Sequence, residues 1–266
     1  MLARLLSAIV LSTLAIITVT LGGWWLFALY GGGMLIAAYE YFNMTRIGEH
    51  RPLWIPALLA IALLYLNALW KPILPYDFAP LILATVIALP ALWELLRKNH
   101  ESFLLDWAVM ILGVMYIGVL GTYLFELRNL QDGVQLLFVP LLTTWFTDIF
   151  AYLSGRLWGK DKFFPDISPK KTRQGAVGGI VAGTLTFGIL GSIFGMNPLL
   201  AFLGGVIIAL LTTAGDLTES LIKRNLGVKD SGTLIAGHGG VFDRLDSMFI
   251  PLTFAYFYFT LVLGYK

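Results

Sequence analysis

The sequence predicts an all-α integral membrane protein, a polytopic bundle of about nine transmembrane helices with its N-terminus cytoplasmic and its C-terminus outside. Three observations carry that prediction: the composition, the spacing of the apolar runs and the placement of the basic residues. Hydrophobic residues fill 58% of the 266 positions and charged residues 13%, with mean hydropathy +0.80. Soluble domains are about 25% charged. A chain of this length cannot hide so much apolar surface from water, so lipid must be its solvent.

The second observation is length. Continuous apolar stretches run approximately over 5–22, 24–43, 53–70, 78–96, 104–127, 134–154, 176–195, 198–218 and 247–264. Each is near the ~20 residues a helix needs to cross hydrocarbon. The runs are continuous rather than alternating, which argues against a spanning β-barrel. The first begins almost at Met1, has one arginine and lacks a small-residue cleavage site, so it reads as a retained span rather than a signal peptide. A glycine turn separates the first two stretches and "MNP" the seventh from the eighth, predicting tight helical hairpins. No internal repeat or low-complexity linker interrupts the series.

The third observation is charge. With the N-terminus inside, Arg4, Arg46, Arg51, Arg97, Lys98, six basic residues between spans six and seven and four between spans eight and nine all fall on the cytoplasmic side. Only Lys71, Arg128 and Lys266 fall outside. That asymmetry follows the positive-inside rule. The net charge of +2 is too small to suggest nucleic acid. With no cysteine, disulfides, thiolate metal sites and a cysteine nucleophile are excluded.

Two polar loops face the cytoplasm in this arrangement. The first, with the span that feeds it, reads "TTWFTDIFAYLSGRLWGKDKFFPDISPKKTRQGAVGG". Asp148 lies within an apolar run, where a carboxylate is costly enough to suggest function. "SPKKT" sets Lys170, Lys171 and Arg173 beside hydroxyls just before a glycine-rich helix start, a combination that suits phosphate. The plainer reading is that these lysines enforce topology and touch anionic lipid headgroups.

The second loop is more specific. On a helix, Asp216, Ser220, Lys223 and Arg224 fall within roughly a 100° arc at the end of an apolar run, with Glu219 just off that face. Glu219 and Lys223 are also an i,i+4 pair that would support any exposed helix. Then comes "KDSGTLIAGHGGVFDRLDS". Asp243 and Asp246 are spaced i,i+3 and, with Asp216, could hold hard divalent cations through oxygen. One of them could equally serve as a helix cap. Gly237, Gly239 and Gly240 around His238 would let backbone approach phosphate. His238 alone is weak evidence, and with only three histidines in separate loops zinc is disfavoured.

The run from Ser220 to Asp246, "S-L-I-K-R-x4-K-D-S-G-x2-I-A-G-H-G-G-V-x-D-R-L-D", resembles the signature of the phosphatidate cytidylyltransferases (CDP-diacylglycerol synthases). "D-I-F-A-Y-x2-G-R-x2-G-K" and "I-S-P-K-K-T" resemble that family too, so the likeness covers roughly residues 145 to 246. Ala236 stands where the family usually has proline, and Gln174 where it usually has glutamate. The resemblance implies that the enzyme, a nucleotidyltransferase of phospholipid biosynthesis, takes CTP and phosphatidate to CDP-diacylglycerol and pyrophosphate. The lipid phosphate is already anionic, so positioning and charge neutralisation at the α-phosphorus would dominate over general base catalysis.

On that reading Asp216, Asp243 and Asp246 carry a magnesium site, with room for a second cation, and Asp148 is a secondary ligand. Lys223, Arg224 and Arg244 neutralise the triphosphate. Ser220 and the Gly239 and Gly240 amides donate to phosphate oxygens, with His238 beside them in the catalytic loop. Lys170 and Lys171 hold the phosphatidate headgroup or the nucleotide. Residues 1–100 form spans one to four and 101–133 the middle span. Residues 134–266 form the catalytic region, with cytoplasmic loops 155–175 and 219–246. The protein is expected in the cytoplasmic (inner) membrane, multi-pass, with membrane lipids as partners and the active site facing the cytoplasm; the family suggests a homodimer.

Two rivals fit less well. A CTP-dependent lipid or polyprenol kinase would want similar groups but would release CDP. An ion-coupled transporter could use Asp148 and Asp216 as an ion path, but has little need for the clustered loop residues. The D-G-x2-A-R motif of CDP-alcohol phosphotransferases is absent.

Overall fold

Backbone polar groups have no partner in hydrocarbon, so apolar runs of this length must satisfy their own hydrogen bonds as helices. The computed structural model describes residues 2–96, 101–232 and 239–266, and each apolar stretch is helical over most of its length. Helix α1 covers Leu2–Leu21; after Gly22, in the left-handed region at φ 66°, come α2 (Gly23–Leu26), a π-helical turn (Phe27–Gly31) and α3 (Gly32–Ile47). Helix α4 covers Trp54–Trp70 and α5 Ala79–Glu94. A second π-helical turn (Val114–Val119) joins α6 (Phe103–Gly113) to α7 (Leu120–Asn129). Then follow α8 (Gly133–Trp158), the strands β1 (Lys162–Phe164) and β2 (Ser168–Thr172), α9 (Arg173–Ile193), α10 (Pro198–Asn225) and α11 (Phe242–Phe257), which runs into a last π-helical turn (Tyr258–Val262).

Five helices among the described residues are long and apolar enough to cross a membrane: Phe103–Asn129, Gly133–Trp158, Arg173–Ile193, Pro198–Asn225 and Phe242–Val262. Shorter apolar helices cover Ser12–Leu21, Trp54–Trp70 and Ala79–Glu94. Leu185 and Ile189 on α9, and Leu199 and Leu203 on α10, are exposed. Outward leucine and isoleucine in such number belong against lipid rather than water. The chain is therefore an α-helical, multi-pass membrane protein.

The chain divides into two compact units, residues 1–129 with 225–245 and residues 130–224 with 246–266. In the first, Tyr41, Phe42, Tyr65 and Phe125 fill the interior. The Tyr65 hydroxyl donates to the Ile117 carbonyl at 2.7 Å and the Tyr41 hydroxyl to the Val109 carbonyl at 2.9 Å, so these two buried phenols are partnered. The Arg128 guanidinium caps α1, donating to the carbonyls of Val19 (2.8 Å) and Thr20 (3.1 Å), which the helix itself leaves unpaired.

In the second unit α8 and α9 lie side by side. Gly175, Gly179 and Gly183 recur every fourth residue along α9; a side chain at Gly179 would meet the Thr147 carbonyl and the Ala151 methyl on α8. The stripe lets the two backbones approach where a larger residue would hold them apart. The Thr172 hydroxyl accepts from the Gly175 amide at 3.2 Å and starts α9. Strands β1 and β2 pair antiparallel across a turn at Pro165 and Asp166, so part of the polar loop expected over 155–175 is an ordered hairpin.

Candidate active site

The last turns of α10 gather the charges. Asp216, Glu219 and Asp246 offer carboxylate oxygens that all lie within 4.8 Å of one another. Glu219 is 1% exposed and Asp246 6%, while Asp216 is half-buried. Three carboxylates so close repel strongly at low effective dielectric unless cations join them. Two lysines do so. The Lys171 ammonium, on β2, stands 2.7 Å from Asp216 Oδ2, and Lys223 lies 2.7 Å from Glu219 Oε1. The Lys171 ammonium is buried and meets Asp216 as an ion contact without making a directed hydrogen bond, which leaves donors for a further anion.

The backbone explains the convergence. Gly215 sits where α10 and α11 draw close: a Cβ there would stand 3.1 Å from the Asp246 carbonyl. The glycine immediately before Asp216 thus brings two helices, each carrying an acid, within reach of each other. Asp148, half-buried on α8, accepts from the Ser247 hydroxyl at 2.8 Å, beside Asp246 in sequence. The two lysines of "SPKKT" are placed differently. Lys171 is half-buried against Asp216, and Lys170 is exposed.

The other residues singled out from the sequence divide as follows. Ser220 is buried beside Glu219, and Arg224, exposed, donates from Nε to the Ile167 carbonyl at 3.2 Å. Arg244 is exposed in the first turn of α11. Asp243 stands outside the three-acid group; its carboxylate accepts from the backbone amides of Gly240 (2.9 Å) and Ser231 (3.1 Å). The Gly240 amide is thereby engaged within the protein. Gly239 adopts φ 82°, which only glycine takes without strain. Gly237 and His238 lie outside the described residues. Gln174 ties the approach to the hairpin, its Nε2 donating to Asp161 Oδ2 at 2.7 Å and its Oε1 accepting from the amides of Lys160 and Asp161.

The geometry suits chemistry on polyanions: oxygen-only ligands for a hard cation, with ammonium groups at their edge. Sequence comparison agrees. The model of the cytidylyltransferase family matches residues 2–262. The chain belongs to that family. A protein from a Synechocystis species is 31% identical over 290 residues, covering 98% of this chain and 97% of the relative. A Staphylococcus epidermidis protein is 36% identical over 226 residues, 82% of this chain and 83% of its own. One from Staphylococcus haemolyticus is 38% identical over 162 residues, 60% and 61% respectively. All three bear the name phosphatidate cytidylyltransferase.

Within this cytidylyltransferase, Glu219 is the acid of the group that the sequence alone did not mark as a ligand. Its signal was present, since Glu219 lies i,i+3 from Asp216, but its i,i+4 lysine supplied an ordinary explanation. That ion pair does form, and the carboxylate in it is nevertheless buried against two other acids.

Proposed function

We infer that this chain is a phosphatidate cytidylyltransferase that transfers CMP from CTP to phosphatidate, giving CDP-diacylglycerol and pyrophosphate. The observation that carries the reading is the buried Asp216–Glu219–Asp246 group flanked by Lys171 and Lys223, in a membrane protein matched over nearly its full length by a relative of that name. One substrate is a lipid and the other a water-soluble triphosphate, so a charged site at the end of membrane helices serves both.

Asp216, Glu219 and Asp246 would hold a divalent cation, with Asp148, oriented by Ser247, as a neighbouring acid. Magnesium is the expected ion, as oxygen-only ligands suit it, and it would neutralise phosphate charge when bound. The protein's own groups bind and orient. Lys171 offers its remaining donors to a phosphate, and Lys223 and Arg224, with Arg244 in the loop, offset the charge of the triphosphate and departing pyrophosphate. Ser220 donates to a phosphate oxygen. The phosphatidate oxygen attacks the α-phosphorus directly, the bond to the pyrophosphate oxygen breaks, and no protein nucleophile is required.

The proposal extends to topology: nine spans, N-terminus inside, and the α10–α11 loop facing the cytoplasm, where CTP is found. The test is to incubate purified protein with α-labelled CTP, phosphatidate and magnesium and identify both products. CDP-diacylglycerol and pyrophosphate in equal amounts, lost in EDTA and restored by magnesium, are expected. CDP with a phosphorylated alcohol, or full turnover in EDTA, would overturn the reading.

A further inference from the structure

Glu40 lies in the middle of α3 within the apolar run "AAYEYF" and is 6% exposed. A buried carboxylate is costly unless fully partnered. Its partners lie some two hundred residues away in sequence. Oε2 accepts from the Ser231 hydroxyl (2.9 Å) and the Phe242 amide (2.9 Å), and Oε1 from the Val241 amide (3.0 Å). Asp243 takes the adjoining donors, the amides of Ser231 and Gly240. Two carboxylates thus tie Ser231, on one side of residues 233–238, to Gly240, Val241 and Phe242 on the other. Nothing larger than glycine fits at the tie. A Cβ at Gly232 would stand 2.6 Å from Glu40 Oε1, and one at Gly240 would run into the Ser231 hydroxyl and the Glu40 carboxylate.

We propose that Glu40 is a positioning residue for the nucleotidyl-transfer loop: it fixes the start of α11 and, through that helix, the carboxylate of Asp246. Val241 lies just ahead of α11 and Phe242 opens it, and amides at a helix start lack intrahelical partners. A carboxylate both satisfies them and complements the helix dipole. Asp246 follows Phe242 by about one turn on the same helix. Loosening that turn displaces a metal-binding oxygen, and misplacement of about 1 Å costs on the order of 100-fold in rate. Helix α3 therefore does more than anchor the chain: it supplies the carboxylate that holds the start of α11.

The catalytic half of this proposal rests on the cytidylyltransferase activity; the tie itself does not, and the two are read separately. Glu40→Gln keeps the side chain's size but replaces one acceptor oxygen with a donor. In detergent-purified protein, hydrogen–deuterium exchange at the Val241 and Phe242 amides is expected to speed up at least about 10-fold in the variant. Its kcat should fall about 30- to 100-fold while KM for CTP moves less than about 3-fold, since a positioning loss acts on the transition state. Ser231→Ala, which removes one hydrogen bond and no charge, should show the same pattern at about 3- to 10-fold and covers the case in which Glu40→Gln fails to fold. Unchanged exchange would overturn the tie whatever the activity. Faster exchange with unchanged kcat would overturn the positioning role. Wild-type protein that protects these amides yet makes no CDP-lipid would overturn the activity reading and leave the tie standing.

Discussion

Glu219 is held in two ways at once: Lys223 pairs with it from its own helix at 2.7 Å, and carboxylate oxygens of Asp216 and Asp246 lie within 4.8 Å of its own. Such crowding has a measurable signature. Without divalent ions, converting Asp246 to its amide relieves repulsion among the three acids, so Asp246→Asn should leave thermal stability unchanged or raised, whereas Glu219→Gln also strips Lys223 of its partner and should lower it. Magnesium should raise the melting temperature of the wild type by mass action and do so far less in either variant. Turnover in both should drop about 100-fold or more, as charge stabilisation at the reacting phosphate is lost. A variant that keeps both its magnesium response and its activity would remove that residue from the site. Asp216 and Asp246 were legible in the sequence because carboxylates beside apolar runs demand an explanation. Glu40 meets the same criterion inside "AAYEYF", but its partners are a distant hydroxyl and two backbone amides, which leave no pattern in the residues near it.

Elements decide which of two adjacent, chemically identical residues meets the acidic group. In β2 Lys171 reaches Asp216 and is half-buried with Thr172, while Lys170 is exposed with Pro169. Lys171→Met should lower kcat/KM about 10- to 100-fold and Lys170→Met less than about 3-fold; equal losses would show that the hairpin does not discriminate between them. The sequence marked both lysines as phosphate groups because nothing in "SPKKT" distinguishes two adjacent lysines. The helix that follows was easier to foresee, from its glycine-rich start after "SPKKT"; the structure adds the Thr172 cap and the recurrence of glycine at every fourth position along the face toward α8. Those glycines carry an expectation of their own. Gly179→Leu must place its side chain against the Thr147 carbonyl and Ala151, and should destabilise the protein by about 1–3 kcal/mol in a thermal or denaturant titration. An unaltered melting temperature would mean that α8 and α9 can move apart freely.

At the scale of the whole molecule, charge and hydropathy work together. The same composition that calls for lipid leaves few basic residues, and those are distributed so unevenly that their placement amounts to a prediction of sidedness. The chain contains no cysteine, so a thiol introduced anywhere is the only one present. Lys160, just before the hairpin, and Lys229, between α10 and α11, are exposed, as is Ile73 between α4 and α5, at 75%. If the last polar loops face the cytoplasm, Lys160→Cys and Lys229→Cys react with a membrane-impermeant thiol reagent only when the cytoplasmic face is open to it, as in inverted vesicles. Ile73→Cys, one span from the nearest cytoplasmic segment on the charge-derived path, reacts in intact cells. All three are exposed and none is an acid of the group, so each variant should retain cytidylyl transfer, which confirms that the labelled protein is the folded one. Labelling of Lys160→Cys from outside would reverse the orientation and put the site on the wrong side for CTP. Labelling of Ile73→Cys and Lys160→Cys from the same face would instead break the span count between them, because an odd number of crossings must separate two positions on opposite sides of one membrane.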